Sequence, residues 1–335
     1  MKIHYLSAHS ILEYDEVKLL TELGHEVFSN GAYLDPRGHF SLPRPGIPDA
    51  KYYEDYAAIA RNSSRTNLPT ELIEPFDVFI VMHLPELLSS NWDKIKHKRV
   101  VWRGIGQSVP WIETVLSKMK AEGLKLVRYS PKEANIPNYA GMDALIRFYK
   151  DPEEFNNWRG TDPAILNATQ SLKGRRNFCG YDLFMEATEG LEKVVLGSGN
   201  EDLGAISAGE VDYERYKDRL RDHRVFFYTG TWPASYTLAF IEAWMTGIPV
   251  VSIGRNRWLE PHSEHVDTFE VHELIDNVVN GYVSDVPRIL KNRLSALQND
   301  HEVAKKIGEA GRAKAIEVFG KEKIKEQWKI FLESL

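Results

Sequence analysis

Apolar residues fall along the chain in two rhythms, short continuous runs and longer stretches spaced three to four residues apart. Residues 2–7 (KIHYLS) read as a strand, and the apolar face of residues 11–23 reads as a helix that Gly24 closes. Residues 25–28 then predict a second strand, so the opening is a strand–helix–strand unit that favours a parallel sheet. Residues 29–75 are rich in Pro, Gly, Asn and Ser and predict long loops with one short helix near 52–60. Strand rhythm returns at 76–84 (FDVFIVMHL), 99–103 and 124–130, with an amphipathic helix over 109–122. Runs as apolar as Val78-Phe79-Ile80-Val81-Met82 suit strands covered on both faces.

Residues 144–149 (ALIRFY) predict a last strand of this series, and the polar stretch 150–163 a linker. A second series follows, with strands at 165–169, 192–197, 224–228 and 248–254 and helices between them. Helices at about 285–297, 301–318 and 320–335 end the pattern. Two consecutive α/β series, each the size of a nucleotide-binding domain, are the architectural signal. The boundaries drawn are 1–150 and 151–318, with 319–335 as a terminal helix.

At 335 residues, two cores are the natural expectation. The N-terminal residues lack the long apolar region of a signal peptide, and no window is apolar enough to span a bilayer. A single cysteine, Cys179, excludes an intramolecular disulfide and reads as a packed core residue. These features point to a cytoplasmic protein. Residues 1–150 carry 19 Lys and Arg against 18 Asp and Glu, whereas the remainder carries 23 against 30. An acidic balance of this kind argues against a nucleic-acid binder. The basic run Lys94–Arg99 reads as a solvated edge before a strand.

The most informative stretch is YTGTWPASYTLAFIEAWMTGIPVV (228–251): a strand, a small-residue loop, a helix beginning near Ser235–Thr237, and another strand. Such a helix aims its free N–H groups at the crevice beyond the strand ends, where a phosphate would sit. Ser235 and Thr237 add hydroxyls there, and Glu242 lies one to two turns inside the helix. Glu242-Ala243 and Gly247-Ile248-Pro249-Val250-Val251 resemble the second half of the donor-site motif of retaining GT-B glycosyltransferases of family 4. Ser235-Tyr236-Thr237-Leu238 takes the place of that family's Gly-Phe-Gly-Leu loop. Ala234 stands where the family has its first motif Glu, and Ala168 where it has an Arg. The resemblance is specific over about 165–335 and only topological over 1–150.

The resemblance implies a GT-B fold: two Rossmann-like domains facing each other across a cleft, with the C-terminal helix packing back on the first. It implies transfer of a sugar from a nucleoside-diphosphate sugar to a hydroxyl acceptor, with retention of anomeric configuration and no permanently bound cofactor. Lys173, in the Lys-Gly pair after the first strand of the second series, is the first candidate to stabilise the leaving diphosphate. Arg176 and Arg175 follow. Gly199, in a Gly-x-Gly turn, would lie under the nucleotide, with Ser235, Tyr236, Thr237 and Leu238 around the phosphates and Glu242 on the ribose. His83, at the end of Asp77-Val-Phe-Ile-Val-Met-His83, matches a strand-end histidine near the sugar. His9, Arg103 and Gln107 occupy comparable strand-end loops in the half expected to bind the acceptor.

No Asp-x-Asp motif appears, so no metal is expected, and His262, Glu264 and His265 read as a polar loop. A nucleotide-sugar epimerase on the same fold and a non-catalytic glycosyltransferase-like binding module are the alternatives, the latter favoured by Ala234 and Ala168. An NAD-dependent dehydrogenase lacks its G-x-G-x-x-G after the first strand. The acceptor is open among saccharides, lipids and small molecules, with a hydroxymethylated DNA base as the minority reading. The oligomeric state is open as well.

Overall fold

The structure is a computed structural model and describes residues 1–7, 9–34, 44, 46–47, 51–262 and 266–335. Ala8, parts of the predicted 29–75 loop, and Glu264 and His265 lie outside the described residues. The chain divides into two compact units, residues 1–148 with 324–335, and residues 149–323.

The first unit runs β1 (Lys2–Ser7), α1 (Ser10–Glu22), β2 (Glu26–Ser29), α2 (Lys51–Arg61), β3 (Val78–Met82), α3 (Pro85–Ile95), β4 (Arg99–Arg103), α4 (Pro110–Ala121), β5 (Lys125–Arg128) and β6 (Ala144–Leu145). Its sheet is parallel throughout, in the order β2-β1-β3-β4-β5-β6. All five residues of β3 are buried, as their unbroken apolar run requires of a strand covered on both faces. Strand order reverses between β1 and β3, so the ends of those strands flank the crevice where doubly wound sheets bind ligands.

The predicted strand over 144–149 is cut short at Leu145. The carbonyls of Ile146 and Arg147 accept from the Arg103 guanidinium at 2.6 and 3.4 Å and leave the strand ladder. Arg103 itself is fully buried; its Nε and Nη2 donate to Glu16 Oε1 at 2.8 and 2.6 Å, and its guanidinium lies 4.4 Å from the Phe148 ring. It is a core residue rather than an acceptor-loop residue.

The second unit runs β7 (Asp162–Ala168), α5 (Arg176–Cys179), α6 (Tyr181–Ala187), β8 (Lys193–Leu196), β9 (Ser207–Gly209), α7 (Tyr213–Asp222), β10 (His223–Tyr228), α8 (Leu238–Thr246), β11 (Val250–Ile253), α9 (Arg255–Leu259), α10 (Val271–Leu274), β12 (Tyr282–Ser284), α11 (Pro287–Asn299) and α12 (His301–Phe319). Its parallel sheet has the order β12-β11-β10-β7-β8-β9, so the reversal lies between β7 and β10. The last helix, α13 (Lys321–Glu333), belongs from Ile324 onward to the first unit, where Trp328 lies 5.5 Å from the Arg103 guanidinium. No helix among the described residues is long and apolar enough to cross a membrane.

Candidate donor site

The crevice of the second unit is built by close packing of two loops. Beyond β7, Ser171 N–H donates to the Ser198 carbonyl at 2.8 Å, and Leu172 N–H to Asn200 Oδ1 at 2.8 Å. Asn200 Nδ2 donates in turn to the carbonyls of Thr169 and Gly197, so this one buried amide fastens the β7 loop to the β8 loop. The approach is possible because Gly197 has no side chain: a Cβ there would lie 2.8 Å from the Thr169 carbonyl, and its φ of +123° suits glycine alone. Gly199 sits against Ser171 in the same junction. Lys173 is thereby held at the rim with an exposed ammonium, 3.6 Å from Asp202.

Arg175 is the residue before α5, and Arg176 opens that helix. Arg176 is exposed and forms a two-point pair with Asp182, its Nε donating to Oδ2 at 2.5 Å. The end of α5 is tied to the neighbouring loop by Thr229 Oγ1 donating to the Cys179 carbonyl at 2.6 Å and Trp232 N–H to the Phe178 carbonyl at 2.8 Å. Cys179 is buried beneath it, and burial pushes its thiol up.

On the far side of the crevice α8 begins at Leu238, later than the sequence pattern suggests. The Ser235 carbonyl accepts from Glu270 N–H at 3.1 Å, a partner outside the helix. Ser235 and Tyr236 are buried, the latter edge-on to Phe319, so their side chains face the protein interior. Thr237, extended at the N-cap, makes no side-chain cap to the first turn. Leu238 follows it, half-buried, and the first-turn N–H groups carry the positive end of the helix dipole.

Glu242 lies on the second turn of α8 and is only 5% exposed. Its Oε1 is 2.8 Å from Lys150 Nζ, and its Oε2 accepts from the Tyr216 hydroxyl at 2.9 Å. Neither partner was legible beforehand, since Lys150 sits in the linker and Tyr216 on a helix of unremarkable pattern. Asn200 was missed too, although it directly follows the Gly-x-Gly turn.

In the first unit, His83 follows β3 with a left-handed φ of +48°. Its Nδ1 is buried without a partner among the described residues, and its ring lies 5.8 Å from Trp102. Burial lowers its pKa below the ordinary histidine value, with Glu86 opposing. A non-glycine residue in this conformation with an unmet buried nitrogen is a common mark of functional sites. His9 caps α1 instead, its Nδ1 accepting from Leu12 N–H at 3.4 Å.

Two doubly wound parallel units, closed by a last helix counted with the first, define the GT-B fold of glycosyltransferases. Solved structures of that class match nearly end to end. Sucrose-phosphate synthase from Thermosynechococcus elongatus is 14% identical, with a TM-score of 0.68 over 100% of this chain and 98% of that one. HepE of Anabaena, in complex with UDP and glucose, is 13% identical with a TM-score of 0.67 over the full length of both. A glycosyltransferase from Rickettsia africae is 14% identical with a TM-score of 0.66, over 99% of this chain and 98% of that one. No family model matches the chain, and no curated protein matches it.

Proposed function

We propose that the protein is a glycosyltransferase that moves a sugar from a nucleoside-diphosphate sugar to a hydroxyl acceptor, with retention and without a metal. The observation that supports this most strongly is the β7–β10 switch point, with an exposed lysine on one wall and an uncapped helix start on the other. Both features suit a diphosphate, which needs cationic and N–H partners whose grip tightens as the leaving group gains charge. That HepE has been solved with UDP-glucose gives the donor class a precedent on this fold.

In this reading Lys173 neutralises the leaving diphosphate, with Arg175 and Arg176 as further cations, while backbone N–H groups at Thr237 and Leu238 meet the phosphates. Gly199 leaves room beneath the nucleotide, and Ser235 and Tyr236 shape the loop from within. Glu242, held by Lys150 and Tyr216, keeps a further lone pair on each oxygen to accept from ribose hydroxyls. His83 serves the transferred sugar, its neutral imidazole offering a hydrogen bond. Transfer on one face of the sugar needs no carboxylate nucleophile: the acceptor oxygen bonds to the anomeric carbon as the bond to the diphosphate breaks. The diphosphate oxygen takes the acceptor proton.

The test is calorimetry with uridine, adenosine and guanosine diphosphates and their sugars. Binding of at least one is expected, and silence across the panel sinks the donor-site reading. Turnover with a bound donor should survive chelation of divalent ions; loss in chelator with rescue by manganese would overturn the metal-free mechanism. A donor that binds but is never consumed by any acceptor or water would favour the non-catalytic module.

A further inference from the structure

A second concavity of about 150 Å³ lies within the second unit, between α5–α6, the loop after β10, and α9. Apart from Arg176, none of the residues assigned above to the donor lines it. From its location and chemistry we infer that it is a subsite for one neutral pyranose ring of a saccharide.

Size comes first. A cavity near 150 Å³ is on the scale of one that holds a single benzene ring, and below the roughly 300–1,000 Å³ of sites for larger ligands. One pyranose ring suits a space of that size. The cavity is also pre-formed. Gly180, at φ +67°, allows α5–α6 to lie against the β10 end, where a Cβ would meet Thr229 at 3.1 Å. The Thr229–Cys179 and Trp232–Phe178 hydrogen bonds then fix the two walls together.

The walls have two kinds of surface. Phe178 and Trp232 form an aromatic corner, with ring centroids 5.6 Å apart and planes at 47°. Phe178 is 45% exposed, a large apolar surface left open beside a concavity. The negative face of such a ring attracts the slightly positive C–H face of a pyranose. Trp258 adds a buried indole N–H with no acceptor among the described residues.

Around the aromatic corner stand Asp182, Glu186 and Glu260 against Arg176 and Arg257. Both guanidinium groups already have carboxylate partners, Arg176 in Asp182 and Arg257 in Glu260 at 2.5 Å. An anionic ligand in this cavity therefore meets three carboxylates against two guanidinium groups. A neutral polyol is different: paired carboxylates accept from adjacent hydroxyls, and guanidinium N–H groups donate to hydroxyl oxygens. The ring could belong to a saccharide acceptor or to the donor's own sugar, and the two sources separate experimentally.

The experiment titrates methyl α-D-glucopyranoside and methyl β-D-galactopyranoside into the full chain and into Phe178→Ala and Asp182→Asn, with and without UDP, by saturation-transfer NMR. Thermal unfolding of each variant checks that it is folded. In a second arm, calorimetry compares UDP with UDP-hexoses on the same proteins. A pyranoside that binds the parent chain and loses tenfold or more of its affinity in both variants supports the subsite as one for a free saccharide. A tenfold loss confined to UDP-hexoses in Phe178→Ala, with UDP unchanged, supports it as the seat of the donor's sugar. No pyranose-dependent binding in either arm, or binding indifferent to both substitutions, overturns it. UDP binding alone, with the pyranose arms silent, leaves the glycosyltransferase reading intact while removing this one; the reverse pattern does the opposite.

Discussion

The two units share a fold and treat charge at their strand ends in opposite ways. In the first, guanidinium groups are drawn inward. Arg103 is locked to Glu16, to which Tyr5 also donates, and Arg128 forms a two-point pair with Glu113 at 2.8 and 2.7 Å. Burial pushes the Glu113 carboxyl up, but Arg128 outweighs it and holds the group below its ordinary range. In the second unit the cations Lys173, Arg175 and Arg176 stay at the rim, over loops made to approach closely by glycine. Inward charges hold a scaffold together, while the rim charges stay exposed, Lys173 beside Asp202 and Arg176 beside Asp182. The comparison teaches that a strand-end arginine is evidence of a site only once its partners are known.

Four substitutions or titrations would break or sharpen this contrast. Arg103→Met should cost about 3–5 kcal/mol, because it leaves Glu16 buried without its counter-charge. Urea unfolding of the full chain measures it; a change below about 0.5 kcal/mol, the scale of a surface site, would erase the distinction between the units. Lys173→Ala should do the reverse. Stability should stay within about 0.5 kcal/mol, while turnover drops about a hundredfold, since in the proposed reading its interaction strengthens in the transition state. An unchanged turnover would move the diphosphate to Arg175 or Arg176.

The next effect is one of pH. His4 is packed among Phe28, Phe76 and Phe79, and burial lowers its pKa from 6.5 to about 4 despite a hydrogen bond to the Leu72 carbonyl. Between those values the unfolded chain takes up a proton that the folded chain refuses, so stability falls as pH falls through that window. The loss should reach about 3 kcal/mol by pH 4, and His4→Leu should flatten that part of the profile. An equally steep profile in the variant would assign the acid sensitivity elsewhere.

The smallest effect belongs to His83. Replacing it with glycine relieves a left-handed backbone but frees the unfolded chain and gives up the Trp102 contact, so stability should change by less than about 1 kcal/mol. Turnover should fall at the same time. If turnover is unchanged, the strained histidine has no part in transfer.

Much of the architecture was legible because unbroken apolar runs leave few choices. Val78–Met82 and Val225–Tyr228 can only be strands inside a covered sheet, and the two series they belong to appear as two doubly wound units. The short β9, Ser207–Gly209, carries no apolar pattern and was not predicted. Nor was the early end of the strand at Leu145, which depends on Arg103 reaching 43 residues along the chain to a carbonyl. Helix α8 is legible too, but it starts at Leu238 rather than at Ser235–Thr237, and the Glu270 contact with the Ser235 carbonyl that accompanies this is remote in sequence.

By itself, then, the sequence determined the fold class and the strand–loop–helix over 228–246, because local periodicity and small residues act over a few neighbours. Only the tertiary structure decided that Arg103 is structural, that Glu242 is gripped by Lys150 and Tyr216, and that Asn200 clamps the crevice. Those outcomes rest on partners dozens of residues away, and a side chain's chemistry is set by whatever the fold brings within hydrogen-bonding distance of it.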